Sequence, residues 1–522
     1  MDLSNWIRHH ADRAPGKPAL VFAGEVLTYA DLADRIDSYA RVLREVLGVE
    51  PGDRVAYLGY NSPELVALLF ACARTGAIFL PLNWRLAAPE HLQLLRHAEP
   101  KVLFVGDEYT GYAQNIAGEA GPLQVVCLGD AVGGWASLPT LEAQGRESAV
   151  PVVAERAGED DGVLLCYTSG TTGMAKGALL SKKALYWNAL NSIDMHDMGR
   201  TDTVLTLLPM FHVGGLNIQT LPALFAGATV IILPQFDVDA CYRALAAFDV
   251  TLTLVVPTVM LALMADERWS RGKPDRLRMI AIGSTIVPGS LVARVCEWGV
   301  PLVQVYGSTE TCPIAAYTPP GEAARKPAST GIVAKHCEIR IVDADGAELA
   351  TGKSGEILVR GPNVMLGYWR DDKATREAFG PDDWFHTGDI GHFDAEGFLY
   401  VDERLKDMII SGGENVYPAQ VENLLAMMEG VREVAVVGRA DDYWGEVVVA
   451  VVVEEPGFTV DAGAIRTFCD GRIAHFSCPR EVLTVERLPR NVMGKVVKDE
   501  VRRLVAKGSV LPQDQTSQRR GS

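Results

Sequence analysis

The chain has 522 residues, 48% of them hydrophobic and 22% charged, with a formal net charge of −17. That length exceeds one ordinary core and calls for two or three domains, in a composition typical of water-soluble globular proteins. The acidic balance argues against a nucleic acid or an anionic membrane as the main partner, while local basic patches can still receive a polyanionic small molecule. Nine scattered cysteines without a Cys-x-x-Cys pair read as reduced thiols in a cytoplasmic setting. The start shows no basic and apolar pattern of a secretory signal, and no apolar run approaches the ~20 residues that span a bilayer.

Taken in order, apolar residues recur at helical spacing over 31–47 (Leu32, Ile36, Tyr39, Leu43, Leu47), and Pro51-Gly52-Asp53 turns the chain into a short strand at 54–58. Residues 64–75 predict a buried helix ending at Gly76, 77–81 a strand, 89–97 a helix opening on proline, and 102–105 another strand. The run 163–166 ends a further buried strand, and 229–233, 251–256, 279–282 and 302–306 continue the series. Strands alternating with helices mean βαβ units and a mainly parallel sheet, so the fold class is α/β. From about residue 332 the texture changes to short strands (338–342, 356–359) and Asp/Gly turns, a small β subdomain. A compact α+β segment closes the chain, with a helix at 416–428 and strands at 434–438 and 447–453. The charged link Asp402-Glu403-Arg404-Leu405-Lys406-Asp407 divides a large N-terminal domain, 1–403, from a C-terminal domain, 404–510, followed by a polar tail, 511–522.

One stretch concentrates chemistry: Tyr167-Thr168-Ser169-Gly170-Thr171-Thr172-Gly173-Met174-Ala175-Lys176-Gly177. Glycines let a backbone approach a phosphate closely, hydroxyls add donors, and lysine adds a point charge. A flexible surface turn has the same composition, and the Walker A spacing is absent. The stretch resembles the phosphate loop of the adenylate-forming superfamily, which includes acyl-CoA and aryl-CoA synthetases, peptide-synthetase adenylation domains and firefly-type luciferases. Ala175 stands where that pattern usually has proline.

Further segments match the same family in its order. Val305-Tyr306-Gly307-Ser308-Thr309-Glu310 ends a strand, where open α/β sheets place ligands. The resemblance makes Tyr306 an adenine-stacking ring, Thr309 a phosphate ligand and Glu310 the ligand of Mg²⁺, with Gly283, Ser284 and Gly307 also in the nucleotide site. It makes Asp389, in Trp384-Phe385-His386-Thr387-Gly388-Asp389, the ribose ligand and Arg404 a ribose and phosphate contact. Lys406 takes the hinge position. The resemblance also implies that Gly412 and Gly413 meet the pantetheine arm of coenzyme A and that Trp444 and Phe476 flank its adenine. Lys495, in Asn491-Val492-Met493-Gly494-Lys495, is the mobile lysine that touches carboxylate and α-phosphate. Phe476-Ser477-Cys478-Pro479 lacks the lysine that relatives often carry there, which leaves the CoA phosphates to Arg480 or Arg472.

Pro209-Met210-Phe211-His212-Val213-Gly214-Gly215 is similar to the aromatic-His segment at the acyl pocket of acyl-CoA synthetases. A lone His beside Phe and Val is otherwise a satisfied core residue. The resemblance assigns Phe211, His212, Val213, Gly214, Gly215, Gly283 and Gly307 to an apolar acyl slot with room left by glycine. Asn217 and Gln219 stand ready for a hydroxyl or methoxy group if they face it. Neither 209–225 nor 281–288 contains Lys or Arg, and 209–225 has no carboxylate. Amino acids and malonate-type diacids would therefore lack a counter-ion there.

The expected activity is an ATP-dependent acid–thiol ligase, with Lys495, Glu310, Thr168 and Lys176 carrying catalysis and ATP, Mg²⁺ and coenzyme A as cofactors. The partners are a small carboxylic acid, fatty or aromatic, and CoA; a homodimer is compatible. A fused carrier domain does not fit the 27 positions after Lys495. A separate carrier protein, a luciferase-like oxygenase and a non-catalytic nucleotide sensor are the rival functions. Intact Lys495, Glu310 and Asp389 argue against the sensor. Light emission with a luciferin would mark the oxygenase.

Overall fold

The computed structural model describes residues 3–146, 158–168, 175–284, 287–380, 382–404, 407–411, 414–416, 418–441, 444–470, 472–473, 475–490 and 495–507. Two large sheets build the N-terminal domain. In the nine-stranded one, Thr229–Ile232, Thr203–Thr206, Leu252–Val255, Met279–Ile282 and Leu302–Tyr306 lie side by side and parallel. Leu252–Val255, Met279–Ile282 and Leu302–Tyr306 are buried at every position, as a sheet covered on both faces requires, which is why they read as apolar runs broken only by Thr253 and Gln304. The eight-stranded sheet has a parallel centre of Arg54–Leu58, Ile78–Pro81, Val102–Val105 and Gln124–Cys127. Gly162–Thr168 joins it parallel to Ile78–Pro81 and then pairs antiparallel with Lys176–Ser181.

Helices Pro63–Thr75 and Lys182–His196 share one core with residues of both sheets. The first is buried nearly all round, so its sequence is apolar all round. Ser62 caps its start, Pro63 opens it and Gly76, left-handed at φ 76°, ends it. The helix expected at 31–47 is α-helical over Tyr29–Arg41 behind a Thr28/Asp31 capping box and finishes as a wider π-turn, Val42–Val46.

A four-stranded antiparallel sheet, Glu338–Val342, Gly355–Arg360, Phe385–Phe393 and Leu399–Arg404, forms the small β subdomain. Beyond it the C-terminal α+β unit is organised on the hairpin Val431–Asp441/Gly445–Glu454. One hairpin face packs Val436, Val448 and Val452 against Val421, Leu425 and Ile465, and the other packs Val437, Val449 and Val451 against Val501 and Val505. Because both faces are covered, the strand 447–453 carries no polar alternation. The hairpin strands are longer than the sequence predicts because pairing runs along the whole ladder. The helix expected at 416–428 covers only Pro418–Leu425, since Val416 closes the strand Glu414–Val416 and proline takes the first helical turn. Among the described residues no helix is long and apolar enough to cross a membrane.

Candidate active site

The parallel strands of the nine-stranded sheet end along one edge, and the loops that follow carry the residues singled out in the sequence. Thr203–Thr206 leads into the Phe211–Gly215 turn, Met279–Ile282 into Gly283-Ser284, and Leu302–Tyr306 into Gly307–Glu310. Ser284 sits at φ 79°, a left-handed conformation that non-glycine residues seldom adopt away from functional turns.

On one side Tyr306, 8% exposed, donates its hydroxyl to Asp389 Oδ2 at 3.0 Å. Asp389 is held by its neighbour, since its N–H donates to Thr387 Oγ1 and that hydroxyl donates to the Ile357 carbonyl. Antiparallel register sets Arg404 opposite Asp389, so both stand at one point of the subdomain sheet. Glu310 Oε1 accepts from Tyr368 Oη at 2.9 Å, and the Lys176 ammonium lies 4.9 Å from the centre of the Tyr368 ring. Thr168 and Lys176 face each other across the antiparallel hairpin, with the Thr168 hydroxyl donating to the Lys176 carbonyl. The phosphate-loop ends therefore belong to the eight-stranded sheet while Glu310 belongs to the nine-stranded one. Tyr368 bridges them.

On the other side, Phe211 packs against Trp84 and His212, with ring centres 6.2 and 4.5 Å away. Arg85 lies 4.6 Å over Trp84 and 6.0 Å over Phe211. Burial first, then the Lys495 ammonium and Arg85, push His212 down to about 3, so its ring is neutral at pH 7. His212 Nε2 is buried without a hydrogen-bond partner. The charge of Lys495, from the C-terminal unit, thus reaches His212. Elsewhere in that unit Arg480 stacks 4.0 Å over Trp444, and Arg502 bonds Asp407 at 2.7 Å.

Of the expected site residues, Thr168, Lys176, Thr309, Glu310, Tyr306 and Asp389 gather on the first side, and Phe211, His212, Val213 and Lys495 on the second. Ser169, Gly170, Thr171, Thr172, Gly173, Lys406, Gly412 and Gly413 lie outside the described residues, as do the side chains of Arg404 and Phe476. The glycines need a correction. A Cβ at Gly215 would stand 2.3 Å from the Pro209 carbonyl oxygen, at Gly283 2.8 Å from that of Val305, and at Gly307 1.5 Å from that of Pro313. Backbone fills the space beside these three; Gly214 does face open space. Sequence reasoning missed Trp84, Arg85 and Tyr368. They lie far from the motifs in sequence, and no local pattern marks them.

A strand-edge site built from Thr168 and Lys176 at the ends of a hydroxyl-rich sequence, a Tyr/Asp pair, one carboxylate and a lysine from a second unit fits an adenylate-forming enzyme. The sequence matches the AMP-binding enzyme family over residues 7–369 and the AMP-binding enzyme C-terminal domain over 420–495. It is 52% identical to an indoleacetate–CoA ligase of Aromatoleum aromaticum, over 98% of this chain and 100% of the relative. It is 39% identical to a feruloyl-CoA synthase of an Amycolatopsis species, over 96% and 98%. ATP-bound MatB from Rhodopseudomonas palustris superposes with a TM-score of 0.86 at 33% identity, covering 97% of this chain and 99% of that one. The chain belongs to the AMP-binding enzyme family and is an AMP-forming acid–thiol ligase.

Proposed function

We propose that this ligase activates a monocarboxylic acid with an apolar body, aromatic by preference and medium-length aliphatic otherwise. The carrying observation is the buried apolar wall of Phe211, Val213, Leu216 and Ile218, closed by Trp84, beside a histidine held neutral. No carboxylate occurs between Pro209 and Phe225 to pair with a substrate ammonium, so amino acids are disfavoured. The sequence argument against diacids rested on the absence of a nearby cation. Arg85, from another segment, lies over the Phe211 ring, and that argument no longer stands alone. The apolar lining supports the monocarboxylic reading, as do relatives named for indoleacetate and ferulate.

In the first half-reaction a carboxylate oxygen attacks the α-phosphorus of ATP and pyrophosphate leaves. The carboxylate is already a nucleophile, so the protein's task is to position it and offset charge. In this reading residues 168–176 cradle the phosphates, Tyr306 stacks on adenine, Asp389 and Arg404 hold the ribose, and Lys495 meets the carboxylate and α-phosphate. Mg²⁺ fits Glu310, a hard oxygen donor with one oxygen oriented by Tyr368, and when bound it neutralises phosphate charge. In the second half-reaction the CoA sulfur bonds to the acyl carbon, AMP leaves and the thiol proton passes to solvent. Gly412, Gly413, Trp444 and Phe476 would line the CoA path, with Arg480 at its phosphates. Lys495 stands near His212 where the thiol must enter, which supports a rotation of the C-terminal domain, 404–510, about Lys406 between the two steps. Nine unpaired cysteines agree with a cytoplasmic enzyme.

ATP–pyrophosphate exchange tests the reading with indole-3-acetate, ferulate, octanoate, malonate and phenylalanine. The aromatic acids should exceed octanoate, and both should stand well above malonate and phenylalanine. A clear preference for the diacid or the amino acid would overturn the pocket assignment.

A further inference from the structure

The acyl wall continues into a wide helical turn, Leu216–Thr220, whose amide side chains Asn217 and Gln219 are 1% and 2% exposed. Single wide turns of this kind recur at functional sites. Gln219 Nε2 donates to His196 Nε2 at 3.0 Å and to the Thr253 carbonyl at 3.1 Å. The His196 ring is neutral, its basicity lowered to about 4 by burial. Its Nδ1 donates to the Ser192 carbonyl at 2.8 Å, so Nε2 is bare and can only accept. Flipping the Gln219 amide would set its oxygen against that bare nitrogen and a carbonyl oxygen. Its orientation is therefore fixed by its neighbours.

Both Gln219 N–H hydrogens are thus used, and its Oε1 is buried with no partner. Asn217 repeats the pattern, with Nδ2 on Cys312 Sγ at 3.4 Å and Oδ1 unpartnered. A cavity of about 10 Å³, room for one water, is lined by Gln219, Gly215, Leu208, Thr206 and Thr220 among others. The Thr206 and Thr220 hydroxyls have no donor to spare. Thr220 donates to the Gly215 carbonyl at 2.8 Å, and Thr206 then donates to Thr220 at 2.7 Å. Gly215, which lines this cavity with Gln219, belongs to the same turn as Phe211 and His212.

We infer that Gln219 Oε1 reads a ring N–H or O–H on the acyl group and makes the enzyme selective for aromatic acids that carry such a donor. The inference rests on the aromatic reading above and narrows it. A methoxy or ring-ether oxygen brings no proton and would face another acceptor, so the hydroxyl-or-methoxy expectation from sequence reduces to donors alone. Sites built around a buried hydrogen bond reject the analogue that lacks it more strongly than apolar pockets reject a misfit.

The test measures kcat/KM for CoA-thioester formation from indole-3-acetate and from 1-benzofuran-3-acetate, which replaces the ring N–H by oxygen. The wild-type enzyme should prefer the indole by about tenfold or more. Gln219→Met should lose that factor on the indole and keep its rate on the benzofuran, which serves as its own control for folding. Gln219→Asn, which withdraws the oxygen but keeps the amide, should behave likewise. Equal wild-type rates on the two acids overturn the inference, as does a variant that retains the preference or loses both rates equally; Oε1 then holds a structural water. Failure of every aromatic acid in pyrophosphate exchange would instead overturn the aromatic reading itself.

Discussion

The two sides of this site treat buried polar atoms in opposite ways. On the nucleotide side Tyr306 is bonded to Asp389, Tyr368 to Glu310, Thr168 to the Lys176 carbonyl and Thr387 to the Ile357 carbonyl, with Ser308 Oγ the exception. On the acyl side His212 Nε2, Asn217 Oδ1 and Gln219 Oε1 have no partner. A ligand that never changes is best met by groups already held in place, because no reorganisation is then needed as charge develops. A ligand that distinguishes this enzyme from its relatives can be met by groups that only the right guest completes. The nucleotide side is thus held in place beforehand, and the acyl side is left for its guest to complete.

Lys495 belongs to the acyl side, where its charge acts on His212, and its removal should give the largest effect. Lys495→Ala is expected to slow adenylation by about 10²–10³, the scale for losing one preorganised electrostatic partner. Pyrophosphate exchange reads that step. Thioester formation from supplied acyl-AMP should change much less, and equal losses in both would make the lysine structural. Next in size is the hinge. Proline fixes φ, so Lys406→Pro should slow CoA-dependent turnover while leaving exchange largely intact. Normal turnover in that variant would move the hinge elsewhere.

The nucleotide side itself should yield a smaller and one-sided effect. Tyr306→Phe removes the hydroxyl that orients Asp389, at a cost typical of one hydrogen bond to a charged group. KM for ATP should rise by about tenfold, with KM for the acid unchanged. A matching rise for the acid would mean that the two sides are not separate, and the contrast drawn above would fail.

That contrast also explains what the sequence disclosed. Residues of the first side sit in short local motifs because each is set by a strand end or hairpin within a few positions, so the gathering of Thr168, Lys176, Tyr306, Glu310 and Asp389 could be expected from motifs matched in the family's order. Trp84, Arg85 and Tyr368 reach the site only because two sheets and the segment after Asn363 fold onto it. Arg85 lies 126 positions before Phe211. The room beside the glycines was misjudged for a similar reason, since the Val305 carbonyl that crowds Gly283 arrives on the neighbouring strand. The C-terminal strands were recognised but cut short, because apolar runs mark where both faces are covered and not where pairing ends.

The smallest expected effect concerns stability, and it tests whether the acyl-side network is held as described. His196 and His212 are pushed by burial to about 4 and about 3, below the ~6.5 of a free histidine. Above pH 6.5 both are neutral in folded and unfolded chains, and their contribution is complete. As pH falls below 6.5 the unfolded chain takes up protons that the native state refuses, so stability is lost progressively down to the folded values. For His196 alone the loss at pH 5 is roughly 2 kcal/mol. His392 has the opposite sign. Its hydrogen bond to Asp402 raises its basicity, so its contribution is complete below pH 6.5 and fades as pH rises through the raised value. His392 is part-exposed, and solvent screening makes that term minor. His196→Gln keeps an acceptor for Gln219 Nε2 while removing the titration. Thermal unfolding followed between pH 7 and 5 should show Tm falling more steeply in the wild-type enzyme than in the variant, by a few degrees over that range. Parallel slopes would mean that His196 takes up its proton in the native state. Its Nε2 would then no longer accept from Gln219, and the fixed orientation of that amide would be lost.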